Sequence, residues 1–171
     1  MKVQTVQCRL GPTSVTLITN HQTVIDYLRD FYRISDGAGS TDDWIVEAII
    51  GPADDTMTTN QWGVSHAANP ASRRLALRAN DPQSLAITAR KCVREALVDH
   101  CEKRRYAMLH ASAVVDDQKL VIVVGDKGSG KTTLGLKAAL LHGMRYLSND
   151  HLIVFGDAMA GQAVPLALRL T

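Results

Sequence analysis

The segment Gly125-Asp-Lys-Gly-Ser-Gly130-Lys131-Thr132-Thr133 constrains this chain more than any other. It fits the spacing G-x-x-x-x-G-K-[ST], in which glycines let the backbone curl until successive N–H groups face one anion. Such a loop needs a buried strand before it and a helix after it. Lys119-Leu-Val-Ile-Val-Val-Gly125 is the apolar run that precedes it, and Lys131 to His142 is the helix that follows, stopped by Gly143. In a loop of this kind the lysine reaches the outer phosphates and the threonine hydroxyl holds Mg²⁺. The helix N-terminus favours negative charge. The expectation is a nucleoside triphosphate held by Gly125, Asp126, Lys127, Gly128, Ser129, Gly130, Lys131, Thr132 and Thr133. Within that set Asp126 reads as the turn-setting residue and Lys127 as a weak phosphate contact.

The rest of the composition narrows the class. Of 171 residues, 46% are hydrophobic and 21% charged, which is globular rather than disordered. A formal net charge of +2 is too small to imply nucleic acid, and Arg73-Arg74 and Arg104-Arg105 read as solvated surface. No apolar run approaches membrane-spanning length, and Met1 to Gln7 lacks the apolar core of a secretory signal. The three cysteines, Cys8, Cys92 and Cys101, form no C-x-x-C pair and read as reduced thiols. A cytoplasmic protein without membrane or nucleic-acid partners is expected. His21, His66, His100 and His142 show no metal-ligand spacing. Trp44 and Trp62 read as packing residues.

Along the chain, Val3–Arg9 and Ser14–Thr19 suggest a hairpin around Gly11-Pro12. His21–Tyr32 has helical spacing, residues 36–43 are loop by composition, and Trp44–Ile50 and Arg74–Arg78 read as strands. Asp81-Pro82 opens the longest helix, with apolar positions recurring from Leu85 to Cys101 and a mixed charged face down to Lys103. Met108–Val115 reads as one strand and Asp116-Asp117-Gln118 as a turn. Lys119–Val124 then feeds the loop. In the helix after it, Leu134, Leu136 and Ala138–Leu141 are the expected buried side. Arg145–Ser148, His151–Phe155 and Val164–Leu170 read as further strands.

Leu109-His110-Ala-Ser-Ala-Val-Val115, then Val121 through Thr133, then Arg145-Tyr-Leu-Ser-Asn-Asp150 resemble the catalytic domain of HPr kinase/phosphorylase and its looser relatives. That superfamily shares its nucleotide core with phosphoenolpyruvate carboxykinase. The resemblance spans roughly Met108 to Phe155. It implies an ATP-dependent phosphotransferase that moves the γ-phosphoryl group to a hydroxyl, most plausibly serine of a protein or peptide. ATP and Mg²⁺ would be the cofactors. Lys131 would hold the β- and γ-phosphates, Thr132 and Asp150 the metal, and His110 would lie near the catalytic pair. The family's Asp-Asp step is Asn149-Asp150 here, so the catalytic base is replaced by an amide. With 38 residues after the loop (171 − 133), the family's later strands and their acidic and arginine residues are missing.

The expected fold is therefore α/β: a mixed-sheet N-terminal domain over 1–105, then a P-loop nucleotide-binding core over 106–171, truncated at its C-terminal end. A partner subunit or second copy would complete the sheet. The competing reading is a catalytically impaired ATP-binding regulatory or scaffold subunit.

Overall fold

Alternating side chains in β1, β2, β4 and β7 organise much of the first eighty residues. In a computed structural model, which describes residues 2–10, 13–37, 44–117, 119–149, 151–155 and 160–163, the chain forms two compact units, Met1–Asp99 and His100–Thr171.

In the first unit, β1 (Gln4–Leu10) and β2 (Thr13–Thr19) pair antiparallel as the hairpin pattern demands, with Cys8 opposite Val15 and Val6 opposite Leu17. Helix α1 (Gln22–Arg29) follows, its first turn capped by His21, whose Nδ1 accepts from the Thr23 N–H at 3.3 Å. Then come β3 (Arg33–Asp36), β4 (Trp44–Ile50), β5 (Thr58–Thr59), β6 (Ser65–Asn69) and β7 (Arg74–Ala79). They make one mixed sheet of seven strands in the order β3-β1-β2-β4-β7-β6-β5, with β2·β4 and β4·β7 parallel. Strands β3, β5 and β6 escape the sequence reading because they are short and polar; Ser65-His-Ala-Ala-Asn69 carries neither β-branched residues nor alternation.

One face of this sheet is the core. Val6, Cys8, Val15, Leu17, Val46, Ala48, Leu77 and Ala79 occupy it and are all buried. They meet Val24, Ile25 and Leu28 of α1 and Leu85, Ala86, Ala89 and Val93 of α2 (Pro82–Lys103), the same face of a helical repeat. The Asp81 carboxylate caps α2 by accepting from the Ser84 N–H at 2.7 Å, and hydrogen bonding from Ser84 holds that carboxyl below its usual range. Trp44 lies on the core face, half-buried, and its indole N–H donates to Asp99 at 2.9 Å. Trp62 is different: it is 53% exposed, with the Lys91 ammonium 3.8 Å from its ring centroid. The packing role expected for Trp62 is therefore corrected to a surface cation–π contact.

The second unit contains β8 (Ala107–His110), β9 (Ser112–Asp116), β10 (Lys119–Val123), α3 (Lys131–His142), β11 (Arg145–Ser148), β12 (His151–Phe155) and β13 (Ala160–Ala163). They form two antiparallel sheets, β10-β9-β11 and β13-β12-β8. The single strand expected over Met108–Val115 is thus two strands in different sheets, broken at buried Ala111. Nothing in Leu-His-Ala-Ser-Ala marks the break, because small residues fit either sheet without a glycine or proline. The strand expected over Val164–Leu170 lies outside the described residues. No helix among the described residues is long and apolar enough to cross a membrane.

A larger correction concerns α3. Its leucines were expected inside, yet Leu134 is 56%, Leu140 81% and Leu141 72% exposed. The helix lies on β9 and β11 through Gly135, where an added Cβ would collide with Ser112 Oγ and sit 3.0 Å from Tyr146 Cε2. Backbone approach that close leaves room only for small residues inward, so the leucines point out.

Candidate functional site

The loop between β10 and α3 is built by two glycines that no other residue replaces cheaply. Gly128 (φ 83°) and Gly130 (φ 86°) both take the left-handed conformation, which L side chains enter at a cost of order 1 kcal/mol. The Ser129 N–H donates to the Asp126 carbonyl at 3.1 Å and closes the turn between them. Gly130 is also the residue that caps α3, and it brings no side chain to the first helical turn. The helices of the described residues differ here: α1 and α2 have their leading N–H groups engaged by His21 and Asp81, whereas α3 starts on glycine with Lys131 and Thr132 next in line.

Lys131 is the central side chain. It is only 8% exposed, and its ammonium donates to the carbonyls of Gly125 at 2.8 Å and Asp126 at 2.9 Å. A lysine withdrawn from water needs such acceptors. The result is a positive charge held inside the curl of the loop, beside the positive end of α3. Around it, Asp126, Lys127, Gly128, Ser129 and Thr133 are exposed, and Thr132 is half-buried in the first turn of α3. The strand before the loop, expected to be buried, is not: Val121 of β10 is 44% exposed and Val124, just before the loop, is 66% exposed.

The other expected site residues are placed less closely. His110 ends β8, in the sheet that does not contain β10, and it is exposed. Directly across from it on β12 stands half-buried His151; the two rings are 5.7 Å apart between centroids, edge to face. The sequence places His151 only at the start of a strand, and the pairing that joins it to His110 is invisible until the β8·β12 register is known. Asn149 is half-buried, and the Ser148 hydroxyl beside it donates to the His151 carbonyl at 2.8 Å. Asp150 lies outside the described residues. Thr132 is therefore the one expected oxygen donor for Mg²⁺ that the structure places, at the loop where a hard cation beside phosphate would use it. Among the described residues, no group of three or more His, Cys, Asp or Glu side chains gathers as a metal site.

The sequence reading passes over the contact that seats the loop's helix. Gly135 of α3 rests on Ser112 of β9 and Tyr146 of β11, whose hydroxyls are 3.5 Å apart. A glycine in mid-helix was the available signal, since it costs helix stability unless close packing requires it.

No protein-family model matches this chain, and no curated protein matches it significantly. The likeness to HPr kinase therefore stands on the motif residues alone.

Proposed function

We propose that this protein binds ATP at Gly125–Thr133 and transfers its γ-phosphoryl group to a hydroxyl, serine of a protein or peptide being the favoured acceptor. The observation that carries the reading is Lys131: a nearly buried ammonium, held by two loop carbonyls within the curl that its own motif defines. Phosphoryl transfer asks a protein chiefly for positioning and for charge where charge develops. Lys131 supplies that charge against the β- and γ-phosphate oxygens, and the start of α3 supplies the oriented dipole. Mg²⁺, when bound through Thr132 and Asp150, would neutralise the phosphate oxygens further. His110 faces His151 across the β8·β12 pair, and either imidazole has the chemistry to take a hydroxyl proton late in a loose transition state.

A second reading is favoured by one specific residue. Asn149 stands where the resembled family carries its base, and an amide accepts no proton at neutral pH. On that reading the chain binds nucleotide and acts as a regulatory or scaffold subunit. One experiment separates the two: ATP turnover and transfer of labelled γ-phosphate by wild type, Lys131→Ala and Asn149→Asp. The phosphotransferase reading expects wild-type turnover that Lys131→Ala lowers at least about a hundredfold, from the scale of single charge-stabilising groups. Nucleotide binding without turnover, unchanged in Asn149→Asp, would leave the binding-subunit reading in its place.

A further inference from the structure

Ser112 touches both ends of the loop that carries Lys131. On one side it stands opposite Val123, the last residue of β10, just before Gly125. On the other it lies against Gly135, one helical turn past Lys131 on α3. Ser112 is fully buried. β9 thus presents one small side chain where the strand entering the loop and the helix leaving it come together.

Lys131 and Gly135 are the buried residues of α3. Spaced i and i+4, they share one face of the helix, a turn apart. Where the Lys131 ammonium comes to rest is therefore tied to how closely α3 lies on β9. At Gly135 that approach has no slack. A Cβ there would collide with Ser112 Oγ and would sit 3.0 Å from Tyr146 Cε2 and 3.5 Å from Ser112 Cβ. Turning the hydroxyl aside would leave it in a buried site away from the Tyr146 hydroxyl, now 3.5 Å from it.

The two hydrogen bonds of Lys131 join the same helix to the same strand end: its ammonium donates to the Gly125 carbonyl at 2.8 Å and to the Asp126 carbonyl at 2.9 Å. Lifting α3 at Gly135 by about 1 Å would stretch both bonds and carry Thr132 along, and misplacement on that scale costs an enzyme about a hundredfold in rate. We infer that Ser112 and Gly135 are positioning residues of the phosphate site: their contact fixes the first turn of α3 against the end of β10, and so sets where Lys131 and Thr132 meet the phosphates. This role rests on the nucleotide reading above and adds to it two residues that act only through Lys131 and Thr132.

A double-mutant cycle on the full chain tests it, with two readouts. One is Mg²⁺–ATP affinity by isothermal titration. The other is NMR of the Lys131 ammonium protons, assigned by their absence from Lys131→Ala, whose exchange with water is slowed while the two carbonyls hold them. Both are read at a temperature where each variant is folded, so that a change in stability alone leaves them unmoved. Gly135→Ala is expected to weaken Mg²⁺–ATP binding at least about tenfold and to speed ammonium exchange. Ser112→Gly alone, which empties the contact instead of overfilling it, should weaken binding about threefold, and the two changes together should bring both readouts back to within about threefold of wild type. Wild type that binds no Mg²⁺–ATP would overturn the nucleotide reading and this role with it. Wild type that binds, with Gly135→Ala binding equally tightly or the double variant no better than Gly135→Ala, would overturn this role alone. Should Gly135→Ala not fold, the remaining pair decides: a double variant that binds no better than Ser112→Gly overturns the role.

Discussion

Cys8 has no solvent exposure, and burial pushes its thiol up to about 12 from the ordinary 9.0. Cys92 on α2 is raised to about 11, first by burial and then by the Glu95 charge. A thiol is neutral when protonated, so a raised folded value means that the folded chain keeps a proton the unfolded chain gives up. The contribution is complete below pH 9.0 and declines as pH rises towards 12 for Cys8 and towards 11 for Cys92. Each thiol should steepen the alkaline loss of unfolding free energy by about 1.4 kcal/mol per pH unit within its window. Urea unfolding between pH 8 and 11 checks this, with Cys8→Ala expected to remove one proton's share of the slope; an unchanged slope would place the effect elsewhere. Gly135 makes a separate prediction. Gly135→Ala forces a methyl group onto Ser112 and Tyr146 and should cost about 1–3 kcal/mol by overpacking, despite alanine's better helix propensity. Ser112→Gly in the same chain should recover part of the loss, because the colliding hydroxyl is gone. Thermal unfolding of the wild type and the two variants measures both effects.

Elements were legible where local chemistry and burial agree. The β1·β2 hairpin, the Asp81-capped start of α2 and the Gly143 end of α3 stand where their turn and cap residues put them. Periodicity fails on α3, since Leu134, Leu140 and Leu141 meet the apolar criterion but not the space available above β9. The break at Ala111 and the pairing of His110 with His151 are decided by contacts distant in sequence, which a reading of residues 108–115 does not contain. Stability should divide accordingly. Leu28→Ala, in the sealed contact of α1 with the sheet, is expected to cost about 2–5 kcal/mol. Leu140→Lys should change stability by no more than about 0.5 kcal/mol and raise solubility. Comparable losses from both substitutions would mean that α3 has a covered outer face in solution.

For the whole molecule, α/β architecture follows from alternating patterns and from the strand–loop–helix that carries the motif, whereas the partition into a seven-stranded mixed sheet and two small antiparallel sheets does not. The candidate site was legible as a loop because its chemistry is contiguous in sequence; His110 and His151 come from separate strands and needed the pairing, and Asn149 lies in the bend after β11. Function in this account turns on whether Lys131 and its loop hold a triphosphate. The most direct measurement is thermal unfolding with Mg²⁺ and ATP, GTP or no nucleotide, for wild type and Lys131→Ala. A ligand bound only by the folded state at a hundredfold excess over its dissociation constant adds about 2.7 kcal/mol, a rise of roughly 5–10 °C for a chain of this length. That rise is expected in wild type, dependent on Mg²⁺ and abolished by Lys131→Ala. No rise in the folded wild type, or an equal rise in the variant, would contradict it.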